Sequence, residues 1–289
     1  MTVDVTIFGN ILVDTIYEVE QFSHGGSNIY KKKTQTVGGV TNVLAALKRM
    51  SPDLSTKLIS AVAGDKEGDF IKEWLSDRGW DNLDLLTKKD VDSTTSSALI
   101  ISDMSEKIRT SFVNWGECKN LTIPNNISSK WLHILYLDCL PLVEEKDLKR
   151  LVDCDIISAD VCLSTHTEKE KERIFSLLKC LDYFFISDVE AKSLTGKESL
   201  PECATILGRK SKGYAIVHSP AGSSYSNGVA TYSVDSIYIE ESSINVLGAG
   251  DNFAARFIFN KIATKSTMTE VIKDSHDYTT NFLIQGNKS

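Results

Sequence analysis

Short apolar runs rich in β-branched and aromatic residues recur along this chain, and amphipathic stretches separate them; that alternation restricts the fold more than any other feature. Val3 to Phe8, Lys57 to Ala63, Trp131 to Leu137, Asp155 to Ala159, Tyr183 to Ser187 and Tyr214 to His218 read as strands. Between them, Val40 to Met50, Phe70 to Arg78, Val143 to Val152 and Glu168 to Cys180 carry helical spacing, and a short helix from Val189 to Leu194 closes at Gly196. Two further helices, Ala249 to Lys261 and Met268 to Leu283, end the chain. Strand and helix in strict succession imply an α/β fold with a central, mostly parallel sheet flanked by helices. The expectation is one α/β domain over residues 1–289.

Two segments interrupt the alternation. Val13 to Val37 is long and polar, with Gly25-Gly26 and Lys31-Lys32-Lys33, and Ser96 to Val113 alternates apolar and polar residues as antiparallel strands do. They are expected to pair into a small sheet outside the main layer. The three lysines read as a solvated strand edge rather than a phosphate site.

Composition narrows the function. At 42% hydrophobic and 25% charged, 289 residues can bury a core without covalent staples. A net charge of -7 argues against nucleic acid as partner, although a few backbone amides can hold an anionic small ligand whatever the global charge. The six cysteines show neither a C-x-x-C pair nor zinc spacing and read mostly as small buried hydrophobes. No apolar run reaches membrane-spanning length, and Met1 to Asp4 has no basic leader before the first strand, so a cytoplasmic setting is expected.

The stretch Gly248-Ala249-Gly250-Asp251, leading into a helical pattern, carries the most chemistry. Small residues there let backbone N–H groups converge at a helix start, where amides and macrodipole favour an anion. A carboxylate in the same turn can take a proton from an attacking hydroxyl. Taken alone, the stretch fits an ordinary capped helix as well.

Here the chain resembles the PfkB (ribokinase-like) family of carbohydrate kinases, whose C-terminal signature D-T-x-G-A-G-D is matched at Gly248 to Asp251. The resemblance assigns Gly248, Ala249 and Gly250 to an anion hole and Asp251 to the base. Asn245 and Val246 stand where the family usually has Asp and Thr, which leaves potassium dependence open. Val37 to Ala45 resembles the acceptor-binding G-G-x-x-x-N signature. Gly38 and Gly39 admit close backbone approach, and Asn42 offers donor and acceptor to a polyol. Asp14 sits where the family places a sugar-binding Asp. Ala63 to Phe70 resembles the V-G-x-D-x-x-G turn, and Ser187-Asp188-Val189-Glu190 the N-x-x-E segment, with Ser187 in place of Asn. There Glu190 would help hold Mg2+ through water. The nucleotide loop is shorter, with Gly222 keeping the turn and Pro220 removing an amide donor. His218 reads as a strand-end residue.

The resemblance therefore implies ATP-dependent phosphorylation of a sugar or sugar derivative, with ATP and Mg2+ required. It also implies a β lid from residues 12–37 and 94–114 that covers the acceptor and, as such lids often do, packs into a homodimer. Other classes the same fold allows are a nucleoside kinase and a catalytically silent sugar- or nucleoside-binding protein. A nicotinamide enzyme is disfavoured, because Phe253 occupies the third small position of the glycine fingerprint and the stretch lies far from the N-terminal βαβ unit. No Walker loop, serine elbow or metal-hydrolase histidine spacing is present.

Overall fold

The computed structural model describes residues 3–80, 83–88, 90, 92–106, 108–236 and 248–286. Its main layer is a nine-stranded sheet. Seven parallel strands stand in the order β11 (Tyr214–Ser219), β10 (Tyr183–Ser187), β9 (Val152–Asp160), β8 (Ile127–Leu135), β1 (Val3–Gly9), β4 (Thr56–Ala63) and β5 (Leu83–Lys88). Two antiparallel strands, β12 (Gly222–Ser226) and β13 (Thr231–Asp235), extend the sheet beyond β11. The central strands are buried on both faces, with Val5, Ile7, Trp131, Leu132, Ile134, Phe184 and Ile216 among the fully covered side chains. Parallel strands covered on both faces by helices read as unbroken apolar runs, which is why the alternation was visible in the sequence.

Helices α1 (Val40–Met50), α2 (Lys66–Ser76), α3 (Glu145–Leu151), α4 (Glu168–Leu178), α5 (Asp188–Thr195), α6 (Leu200–Lys210), α7 (Ala249–Ala263) and α8 (Met268–Gly286) complete the fold. Several are begun by side chains that satisfy free N–H groups. Thr167 and Glu170 form a reciprocal capping box on α4, as do Ser187 and Glu190 on α5. Asp65 caps α2, so this helix starts at Lys66, earlier than the apolar pattern from Phe70 indicates. Gly196 closes α5 in the left-handed conformation.

A second sheet of four strands lies outside the main layer, in the order β3 (Tyr30–Gly39), β2 (Ile11–Val19), β6 (Ser97–Asp103), β7 (Ile108–Asn114). The β2–β3 and β6–β7 pairs are antiparallel, and β2–β6 is parallel. Leu12, Ala98 and Ile100 form a small core on one of its faces. On the outer strand β3, Lys31 and Lys32 are exposed and pair with Glu20 and Glu18 at 3.0 and 3.9 Å.

Candidate active site

Strands β1, β8, β9, β10 and β11 all deliver polar groups at their carboxyl ends, the edge of a parallel sheet where ligands bind in α/β folds. Asn10 follows β1, Asp138 follows β8, Asp160 ends β9, Ser187 ends β10 and His218 lies near the end of β11. Asn10 is fully buried, and neither polar atom of its amide has a hydrogen-bond partner.

The glycine pair at the end of β3 has a steric reason. A Cβ on Gly38 would collide with the Asp14 carboxylate of the neighbouring strand, and one on Gly39 with the Asn10 carbonyl. Gly39 also holds φ +71, a left-handed conformation open to glycine. The Val40 N–H then donates to the Asn10 carbonyl at 2.8 Å, fixing the start of α1 beside β1.

One turn into α1, Asn42 Nδ2 donates to Asp251 Oδ2 at 2.8 Å, across 209 residues of sequence. Two turns later, Arg49 Nη2 donates to Asn252 Oδ1 at 2.7 Å, and Asn252 Nδ2 donates to the Gly248 carbonyl at 2.8 Å. The start of α7 is thereby tied to both the first and the last turn of α1. At the start of α7, Gly248 is left-handed (φ +75) and no side chain caps the helix. The first amides of α7 therefore point outward as donors, as helix N-termini require.

Asp251 is buried, and burial pushes its carboxyl up to about 7, with the nearby Asp160 carboxylate adding to the shift and the Asn42 hydrogen bond opposing it. Burial likewise raises Asp14 to about 7, opposed by the charge of Arg109. Strand register places Arg109 on the same face of the small sheet as Asp14, since Asp14 pairs with Ala98, Ala98 with Val113, and Val113 lies four residues from Arg109. Glu190 is raised to about 7 mainly by burial, although the Ser187 side chain and N–H hold its ionised form; Asp138 and Asp160 push it further up. His218 is driven down to about 4 by burial and by His276, so its ring is neutral beside the start of α7.

Among the residues singled out in the sequence, Asp14, Gly38, Gly39 and Asn42 share one neighbourhood with Gly248 to Asp251. Ser187 and Glu190 stand at the end of β10, electrostatically linked to Asp138 and Asp160. Gly222 opens β12, where a Cβ would meet the Val234 carbonyl, so the close approach of β13 already requires glycine there. Asn245 and Val246 lie outside the described residues. Sequence reasoning did not find Asp160, Tyr136, Arg49 or Asn252. Asp160 accepts the Tyr136 N–H at 2.6 Å, and Tyr136 is itself left-handed at φ +57. A residue of this kind in that conformation is uncommon and clusters at functional sites.

A family model described as pfkB family carbohydrate kinase matches residues 3–276. The chain belongs to the pfkB family of carbohydrate kinases. Solved structures of the same fold include the ribokinase of Thermotoga maritima, at 15% identity and TM-score 0.75 over 98% of this chain and 93% of that one. The adenosine kinase of Sinorhizobium meliloti aligns at 18% identity and TM-score 0.76, covering 99% and 95% of the two chains. That of Schistosoma mansoni, in complex with 2-fluoroadenosine, aligns at 14% and 0.78, covering 98% and 96%. The pfkB assignment confirms the fold expected from the sequence, and among the described residues no helix is long and apolar enough to cross a membrane.

Proposed function

We propose that the chain is an ATP-dependent kinase that phosphorylates a hydroxyl of a sugar or sugar-like acceptor, with Asp251 as the general base. The observation that carries this reading is the 2.8 Å hydrogen bond between Asn42 and Asp251, which joins the two halves of the site in one buried place. Asp14 and Asn42 orient the acceptor, and the tight Gly38-Gly39 backbone lets it approach. A carboxylate whose pKa sits near 7 is poised to accept the hydroxyl proton at neutral pH. The amides of Ala249 and Gly250 hold negative charge developing on the transferred phosphoryl group.

The donor nucleotide would lie along the carboxyl edge of β10 and β11, near Ser187 and Gly222. The half-buried Glu190 carboxylate, pushed up by Asp138 and Asp160 and accepting the Ser187 N–H on Oε2, would help hold a hydrated divalent cation. Bound there, Mg2+ would neutralise phosphate charge. The four-stranded sheet that carries Asp14 and Arg109 acts as the lid over the acceptor, excluding water that would compete for the phosphoryl group.

Arg109 favours a sugar over a nucleoside, because its cation on the acceptor-facing side of the small sheet suits a carboxylate or phosphate substituent. Calorimetry with ATP·Mg, followed by a thermal-shift panel of sugars, sugar acids, sugar phosphates and nucleosides, tests the reading. The kinase binds ATP·Mg and is stabilised selectively by its acceptor. Acceptor binding without any ATP·Mg binding would reduce the chain to a silent sugar- or nucleoside-binding protein.

A further inference from the structure

At the turn after β8 and the end of β9, Asp138, whose charge also reaches Glu190, stands beside two cysteines that the proposed phosphoryl transfer does not use. Cys139 Sγ lies 3.4 Å from Cys162 Sγ and 3.7 Å from Asp138 Oδ1. One donor atom from each of the three residues falls within 4.8 Å of the others. Cys139 and Asp138 are buried, and Cys162 is half-buried.

We propose that Cys139, Cys162 and Asp138 form a binding site for a thiophilic divalent cation of the zinc class, distinct from the magnesium of the kinase reading. The spacing fits coordination better than a covalent bridge. Two thiolates at the usual Zn–S length of about 2.3 Å stand roughly 3.8 Å apart around a tetrahedral ion, whereas disulfide sulfurs are about 2.05 Å apart. The sulfurs here are close to the first distance and far from the second. Each thiol would release its proton to solvent as its sulfur–metal bond forms, and the Asp138 carboxylate would add an oxygen ligand.

Asp138 is held for this role. Its Oδ2 accepts from the Leu163 N–H at 2.8 Å and faces His166 Nε2 at 3.1 Å, the Cys162 N–H reaches both oxygens at 3.2 Å, and Oδ1 lies on the side of Cys139. The His166 side chain is wholly buried and its Nδ1 has no partner. A ligating carboxylate is ordinarily held by an outer hydrogen-bonding group, and the buried His166 imidazole supplies one here. The turn itself is fixed by Arg173, whose guanidinium donates to the carbonyls of Leu137, Asp138 and Leu140 at 3.2, 2.9 and 3.1 Å. Soft sulfur donors select against magnesium, which prefers oxygen and water.

The test titrates the full-length protein, kept reduced with a phosphine, with Cd2+ and then Co2+ in the presence of excess Mg2+. The expected result is one ion per chain, with an ultraviolet thiolate-to-cadmium band and the strong visible absorption of thiolate-bound cobalt. Cys139→Ser and Cys162→Ser lose the band, Cys154→Ser keeps it, and His166→Ala weakens binding by roughly 10- to 100-fold. Circular dichroism checks that each variant is folded. In the unmodified protein, Cd2+ should shield Cys139 and Cys162 from alkylation, read by mass spectrometry. Absence of the band, a band that survives both serine variants, or uptake that leaves both cysteines open to alkylation overturns the proposal.

Discussion

At the scale of single residues, burial decides the chemistry of Asp251. The folded chain holds a proton on this carboxyl up to about pH 7, while the unfolded chain releases it near the ordinary value of 3.8. Ionised Asp251 therefore weakens folding, by an amount that is absent below the unfolded value and grows as pH rises toward 7. Asp251→Asn removes that cost, so its melting temperature relative to the unmodified protein should climb between pH 4 and pH 8; a flat difference would show that the carboxyl is not raised. The same substitution should lower turnover by on the order of 10² to 10⁴ while acceptor affinity changes little. In the unmodified protein, kcat/KM should rise with pH through about 7, as Asp251 ionises. Gly39→Ala meets both a left-handed φ and the Asn10 carbonyl, and should cost about 1–3 kcal/mol in denaturant unfolding.

At the scale of elements, the site exists because α1 and α7 are tied at two levels, Asn42 to Asp251 and Arg49 to Asn252. Both helices were legible in the sequence, as were Gly38, Gly39 and the start of α7, because small residues before an amphipathic run leave a local signature. The bond between them was not, since no spacing rule links residues 209 positions apart. Asp160 escaped for the same reason: it is one acid at the end of an apolar strand, and only the parallel pairing of β8 with β9 brings it to Tyr136. Strand β12 was hidden differently. Its sequence Gly-Ser-Ser-Tyr-Ser is polar, yet every residue is buried, with Ser223 bonded to His276 and Ser224 to Ser233 at 2.8 and 2.9 Å. The four-stranded sheet carries its own prediction. Arg109→Gln should raise KM for acidic acceptors by roughly 10-fold or more, the scale of a lost charge-assisted hydrogen bond, and leave neutral ones nearly unchanged. Equal effects on both would remove Arg109 from acceptor recognition.

At the scale of the whole molecule, seven parallel strands place their carboxyl ends along one edge, five of them with polar groups, and a small sheet built from two separated segments stands beside that edge. The alternation of apolar runs made the main layer readable, and the interruptions at Val13 to Val37 and Ser96 to Val113 marked the second sheet. The proposed role of this edge is to transfer a phosphoryl group to an acceptor hydroxyl through Asp251. Its most direct test follows radiolabel from the γ-phosphate of ATP into a panel of sugars, sugar acids, sugar phosphates and nucleosides, with the unmodified protein and Asp251→Asn side by side. The account predicts label in a selected acceptor with the former and at least about 100-fold less with the latter. Comparable transfer by both proteins, or no transfer to any acceptor that demonstrably binds, would contradict it.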